Sequence, residues 1–145
     1  MAGQSEDLRQ VPLFSSLNQR QLKRLARDLR ESRFASGVTV VRQQEMSGVG
    51  FFIVVEGEAS VGVDGSEVAR LGPGDYFGEL ALISEQVRTA TVTAATPMRC
   101  FVMTSWNFRR FVKDNPDVSW KLLQHLVALL AEERNRRSRA FLLTS

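Results

Sequence analysis

The segment YFGELALISEQVRTATV (76–92) sets a carboxylate, Glu79, and a guanidinium, Arg88, at the two ends of an apolar run, nine positions apart. As a surface ion pair the two would contribute about 0–1 kcal/mol. Buried, they would suffer a desolvation that their attraction need not offset. Facing a third group, they gain a clearer use. Gly72-Pro73-Gly74-Asp75 makes tight turns, and Phe77-Gly78 leads into Glu79-Leu80-Ala81-Leu82, a short helical turn with free backbone N–H groups at its start. Such orphan donors converge on an anion. Arg88, from the strand that follows, could close on a phosphate held there with two parallel hydrogen bonds. Glu79 would repel phosphate but accepts well from an adjacent hydroxyl. Anion donors beside a hydroxyl acceptor describe the sugar–phosphate edge of a nucleotide.

Other chemistries lack their parts. His125 is the only histidine, on a helical segment, and a metal or catalytic site would need companions. A cupin-type metal site needs several histidines, and haem or iron–sulfur sensing is short of ligands in the same way. Cys100 is alone, which removes an intrachain disulfide and a zinc cluster, and it lies among apolar neighbours as inert core. No nucleophile–base pair emerges. The chain reads as a binding protein, not an enzyme, with no cofactor.

Short β-rich runs must position the bracket. From about Phe34 to Met103, VTVV, GFFIVV, ASVGV, VARL, TATVTAA and MRCFVM are strand candidates, cut by Gly57, Asp64-Gly65 and the 72–75 turn. Frequent turns between short strands predict a sandwich or jelly roll. Before them, residues 15–31 carry Leu17, Leu22, Leu25 and Leu29 at roughly helical spacing, with Ser16 as N-cap and Val11-Pro12-Leu13-Phe14 as an apolar anchor. After them, Thr104 or Ser105 caps a helix that buries Phe108, Phe111 and Val112. Asn115-Pro116 breaks it and opens a last helix to about Arg139. That helix carries Leu122, Leu123, Leu126, Val127, Leu129 and Leu130, an apolar surface too wide for one contact. It calls for two apolar partners.

At 145 residues the chain fits one domain. The net charge of +3 is mild, but its distribution is uneven. Arg20, Lys23, Arg24, Arg27, Arg30 and Arg33 crowd one early segment, Arg134, Arg136, Arg137 and Arg139 crowd the end, and the middle leans acidic. Such flanks could steer an anion or touch an acidic partner, although solvated helix faces carry such runs as well. No signal peptide or membrane-length apolar run is visible, which with the lone cysteine fits a cytoplasmic location.

The stretch FGELALISEQVRTATV closely resembles the phosphate-binding cassette of cyclic nucleotide-binding domains, an FGE-L-A-L segment followed after a short loop by R-T/A/S-A. The likeness extends through VPLFSSL, GFFIVVEGEASV, LGPGDYFGE and the helices parted by DNP, from about residue 11 to 139, and includes the effector domain of bacterial catabolite-activator-type regulators. It implies an α+β fold: a β-sandwich or jelly-roll barrel at 33–104, a helical segment at 11–32, and two C-terminal helices at 105–139, with tails at 1–10 and 140–145. It implies cAMP or cGMP as ligand, the ribose 2′-hydroxyl on Glu79 and the cyclic phosphate on Arg88. Gly78 and the N–H groups of Leu80, Ala81 and Thr89 complete the cradle. Thr89 is the position tied to purine choice, yet it does not decide the base. Leu129, Leu130 and Glu133 would cap the purine. One departure is Gln44 or Glu45, where the family has a glycine before the FFIVV strand.

The function expected is a regulatory sensor that repositions its C-terminal helices on ligand binding. It would homodimerise through the 116–139 helix and act on an effector protein or domain. The chain stops at Ser145 without room for a helix-turn-helix, so direct DNA binding is not expected of it. The alternatives are a degenerate domain serving as a dimerisation or docking module, and a regulatory fragment of a larger transcription regulator, channel or enzyme.

Overall fold

The computed structural model describes residues 7–43, 50–78 and 90–144, with side chains as far as residue 135. Two four-stranded antiparallel sheets form a β-roll. The first has the order β1 (Arg30–Phe34), β8 (Met98–Met103), β3 (Phe51–Glu56), β6 (Tyr76–Phe77). The second has the order β2 (Thr39–Val41), β7 (Thr91–Ala94), β4 (Ala59–Val63), β5 (Ser66–Leu71). All six expected strand runs form, and the jelly-roll class expected from the turn spacing is the one observed.

The two faces of the first sheet are both buried. Phe52 and Val54 of β3, with Met98, Cys100 and Val102 of β8, point between the sheets toward Val41, Ala59, Val92 and Ala94. The alternate residues Phe51, Ile53, Phe101 and Met103 face the helices and meet Leu13, Phe14, Leu22, Leu25, Phe108 and Leu122. A strand buried on both sides has no polar face, which is why GFFIVV is apolar throughout instead of alternating. Each large side chain so enclosed contributes about 1.5–3 kcal/mol over leaving it exposed.

Among the described residues, three longer α-helices cover the outer face. Helix α1 (Gln19–Arg27) starts at Asn18, not Ser16. The Asn18 side chain accepts from the Gln21 N–H at 2.9 Å, and the Gln21 side chain accepts from the Asn18 N–H at 2.8 Å. This reciprocal capping box satisfies two donors at once, which Ser16 could not do from two residues further out. The helix also ends early. The leucine spacing carries it to residue 31, yet the chain turns at Asp28 and enters β1 at Arg30. Leu29 stays buried without being helical. The local period loses because β1 pairs along its whole length with β8, from Arg30 opposite Val102 to Phe34 opposite Met98. Its charged sequence, RESRF, suits a sheet edge that must not recruit another strand.

Helix α2 (Ser105–Asp114) is capped by Thr104, whose hydroxyl accepts from the Asn107 N–H at 3.2 Å. Helix α3 (Pro116–Thr144) opens at Pro116 as expected and runs past 139. It buries Val118 and Leu122, and Lys121 Nζ donates to the Pro12 carbonyl at 3.1 Å and Ser15 Oγ at 2.6 Å. The packed region begins ahead of residue 11, because Leu8 is wholly buried and Asp7 reaches Arg99.

Arg99 gathers three carboxylates across the first sheet: Glu56 at 2.9 Å, Asp7 at 3.4 Å and Glu31 at 3.7 Å. Its hydrogen bond and charge hold the Glu56 carboxyl below the ordinary carboxylate range. Rings make a second tie. Phe108 of α2 packs on Phe51 at 4.8 Å, Phe51 on Tyr76 at 5.4 Å, and Tyr76 on His125 of α3 at 4.8 Å. Helices α2 and α3 therefore share one aromatic path through β3 and β6.

Two outcomes follow from this packing. Gly57 turns β3 into β4 with φ +87°, and a Cβ there would lie 2.2 Å from the Pro97 carbonyl oxygen. Gly37 has a similar φ, +89°, with nothing within 4 Å. Both alanine variants bear a left-handed backbone cost of about 1 kcal/mol, and only Gly57→Ala adds a backbone clash. In urea unfolding Gly57→Ala loses clearly more stability than Gly37→Ala; equal losses would contradict the close approach. A double-mutant cycle with Tyr76→Leu and His125→Leu gives a coupling of about 0.5–1.5 kcal/mol, and zero coupling would show that the rings do not support each other.

Candidate functional site

The 79–89 stretch joins the two sheets. Strand β6 belongs to the first sheet, where Phe77 pairs opposite Phe52 of β3. Strand β7 belongs to the second, between β2 and β4. A chain that leaves one sheet at Phe77 and enters the other at Thr91 must cross between them, so a ligand that gathers its two ends acts on both layers.

The approach to this crossing is rigid. In the Gly72–Asp75 turn, the Asp75 side chain accepts from the Gly72 N–H at 2.9 Å, and the Asp75 N–H donates to the Gly72 carbonyl at 3.0 Å. The turn is fastened to β3 twice, with Val54 N–H donating to Asp75 O at 2.8 Å and Gly74 N–H to Val54 O at 2.9 Å. Asp75 thus spends its carboxylate on its own turn. Gly78 has φ +100°, a conformation open to glycine and costly for a side chain, so the backbone demands this residue whether or not a ligand binds.

The far end is held as firmly. The Thr91 hydroxyl accepts from the Gln43 N–H at 2.9 Å. The Gln43 side chain in turn grips the β4–β5 hairpin, donating to Asp64 Oδ1 at 2.9 Å and accepting from the Asp64 N–H at 2.8 Å. Asp64 and Gly65 both have positive φ, as a two-residue hairpin turn of this hand requires. Gln43 and Thr91 carried no signal in the sequence, because the contact spans 48 positions and uses common residue types.

Of the expected ligand residues, Glu79, Leu80, Ala81, Arg88 and Thr89 lie outside the described residues, as do Gln44 and Glu45. Gly78 follows β6, and Leu129, Leu130 and Glu133 fall on α3. Leu129 and Glu133 are half-buried, one helical turn apart on the face of α3 that continues from Leu122. Leu130 is 68% exposed and falls with Trp120, Leu123 and Val127 on another face. The Tyr76–His125 contact lays α3 against the strand that leads into the crossing. Leu129 is one turn beyond His125 and Glu133 two, about 6 Å and 12 Å along the axis. His125, alone of its type, is thus a packing residue on Tyr76, a role that spacing along the chain could not assign. Cys100 offers no reactive thiol, since burial pushes its pKa up to about 12.

Comparison with known proteins fits this frame. The family model for the cyclic nucleotide-binding domain matches residues 31–115. The chain is 38% identical over 112 residues to a cAMP-dependent protein kinase regulatory subunit of Schizosaccharomyces pombe, covering 77% of this chain and 27% of that protein. It is 38% identical over 109 residues to a cyclic nucleotide-gated potassium channel of Mesorhizobium japonicum, covering 75% and 30%. The chain therefore spans under a third of the length of these relatives. Among solved structures it is similar to the regulatory domain of Toxoplasma gondii PKA in co-crystals with cAMP, at 30% identity and a TM-score of 0.76, covering 88% of this chain and 49% of that one. The family match takes in both sheets, the crossing between them and the whole of α2, and on that ground the chain belongs to the cyclic nucleotide-binding domain family.

Proposed function

We propose that this domain is a sensor of a 3′,5′-cyclic purine nucleotide, cAMP or cGMP, and passes the signal on through α3. The observation that carries it is the FGELAL…RTA segment, in family order, strung between the two sheets at anchored ends. In this reading the N–H groups of Leu80, Ala81 and Thr89, reached through the left-handed bend at Gly78, cradle the cyclic phosphate. Arg88 pairs with it bidentately, and Glu79 accepts from the ribose 2′-hydroxyl. Leu129 and Glu133 approach the purine from α3, whereas Leu130 lies on another face of the helix. No step is catalytic: the ligand arrives as a signal and leaves unchanged.

The output is a population shift. A ligand moves an equilibrium only by its differential affinity for the two states, and going from 1:99 to 99:1 takes about 5.5 kcal/mol. Two or three charge-assisted hydrogen bonds at about 1.5–3 kcal/mol each reach that range. The aromatic path Phe108–Phe51–Tyr76–His125 offers the mechanical link, since a movement of β6 as the phosphate is captured would be felt by α2 and α3. The domain proper would span 11–139, with its packing reaching Leu8. No described helix is long and apolar enough to cross a membrane. The lone buried thiol of Cys100 suits a reducing cytoplasm, where the domain would serve an effector protein or a further domain.

A second copy of the chain is the partner we propose for the outer side of α3. Trp120, Leu123, Val127 and Leu130 are 53–68% exposed and recur at steps of three, four and three, the seam of a two-helix coil. Light scattering should give a dimer mass for the chain and a monomer mass for Leu123→Glu/Val127→Glu. A monomer for both would remove this partner and leave the sensor reading untouched.

The sensor itself is tested by calorimetric titration with cAMP and, separately, cGMP, after any nucleotide carried through purification is stripped. We expect saturable binding of about −8 kcal/mol or better, micromolar or tighter. Arg88→Ala should weaken it at least about tenfold with the unfolding midpoint unchanged. No binding of either nucleotide would make the Glu79–Arg88 bracket structural and turn the domain into a docking module.

A further inference from the structure

Helix α1 presents Arg20, Lys23, Arg24 and Arg27 on one exposed face. Their spacing, i, i+3, i+4, i+7, places all four within one side of the helix, opposite the buried Leu22 and Leu25. The sequence QRQLKRLAR contains no acid, so the face holds four like-charge neighbours: Arg20–Lys23, Arg20–Arg24, Lys23–Arg27 and Arg24–Arg27. Each such pair destabilises the helix. The helix C-terminus welcomes Arg24 and Arg27, but Arg20 sits in the first turn, where the helix dipole disfavours a cation.

Elsewhere among the described residues, several cations find carboxylates. Arg33 pairs with Glu31, Arg70 with Glu58 and Glu67, Arg110 with Asp28, and Arg99 with three. On the α1 face none of the four meets an acid among the described residues. The side chains instead border an open space of ≈ 590 Å³ on the surface of α1 alone. A groove of ≈ 150 Å³ lies between α1 and α2 and shares Gln21 and Arg24 with it. The smaller groove carries amides as well as charges, with Gln21 Nε2 donating to Asn115 Oδ1 at 3.2 Å.

We propose that this face docks an acidic segment of a protein partner. Charge complementarity selects an anion, and three guanidiniums among the four cations can grip carboxylates in pairs. Single exposed ion pairs are weak, so the four must be engaged together. The groove's own carboxylates, Asp28 and Asp114, would repel a continuous polyanion but can be skirted by a peptide whose acids are spaced. No aromatic residue lies on the face for a nucleic-acid base to stack on. Its two leucines are buried beneath it, which leaves nothing apolar to enter a lipid surface. This proposal does not depend on nucleotide binding.

The test is fluorescence anisotropy with a labelled peptide of four Glu-Gly-Ser repeats, whose acids are spaced, at low salt, beside a short DNA duplex and vesicles of phosphatidylserine in phosphatidylcholine. The chain should bind the peptide, less tightly as salt rises. Arg24→Glu/Arg27→Glu should weaken binding at least about tenfold. Arg33→Glu/Arg134→Glu, with the same change in net charge, should weaken it less than about threefold. Should the first variant lose its helical signal, Arg24→Gln/Arg27→Gln is held to the same criterion. The proposal is overturned by no peptide binding, by equal losses in the two variants, or by tighter binding to the duplex or the vesicles.

Discussion

Burial of one sheet on both faces is the constraint on which the other features of this domain rest. Strands β3 and β8 supply Phe52, Val54, Cys100 and Val102 to the interior of the roll, and Phe51, Ile53, Phe101 and Met103 to the layer beneath the helices. Neither layer could be closed without the other. If the helices were absent, a row of large apolar side chains would face water. If the second sheet were absent, the same strands would lose their opposite face. The apolar area involved makes the roll and its helices one cooperative unit, so that a strain applied at one edge of the sheet is felt by the helices on its back.

That unity gives the crossing from β6 to β7 its importance. The short β6 is hydrogen-bonded to β3, and its Tyr76 ring lies between Phe51 and His125. Whatever gathers the crossing therefore pulls on a strand that already touches α3. The remaining anchors resist slack: the Asp75-closed turn on one side, and the Thr91–Gln43–Asp64 chain of hydrogen bonds on the other. A ligand bound there as proposed would turn a small local closure into a shift of helices, because packed layers move as bodies and do not deform continuously.

Charge is treated in two ways across the molecule. Arg99 is largely enclosed, and its three carboxylates knit β1, β3 and the segment before residue 11 to β8; removing one partner there would leave charge unbalanced. On α1 the cations stand outward without such compensation among the described residues. The first arrangement fastens the fold. The second leaves electrostatic energy unspent on the fold and free for a partner.

The sequence by itself determined the elements whose signals are local. Turn residues at Gly57, Asp64-Gly65 and Gly72–Asp75 marked off the strands, and Thr104 and Pro116 opened the last two helices. The FGELAL…RTA stretch pointed to a phosphate through its likeness to a family cassette. The sequence misplaced the first helix because leucine spacing runs on past Arg27, whereas Asn18 and Gln21 cap one end and pairing with β8 claims the other. What only the tertiary structure decided is which residues far apart in the chain share a surface: Gln43 with Thr91, Tyr76 with His125, Asp7 with Arg99. These contacts are long-range and made by ordinary residue types, so no window of sequence carries them. The two sides of α3 were divided in the same way. Its sequence is apolar over more than one contact face, and only packing against the turn at Pro12–Phe14 and β6 chose Val118, Leu122 and His125 for the inside and left Trp120, Leu123, Val127 and Leu130 outside.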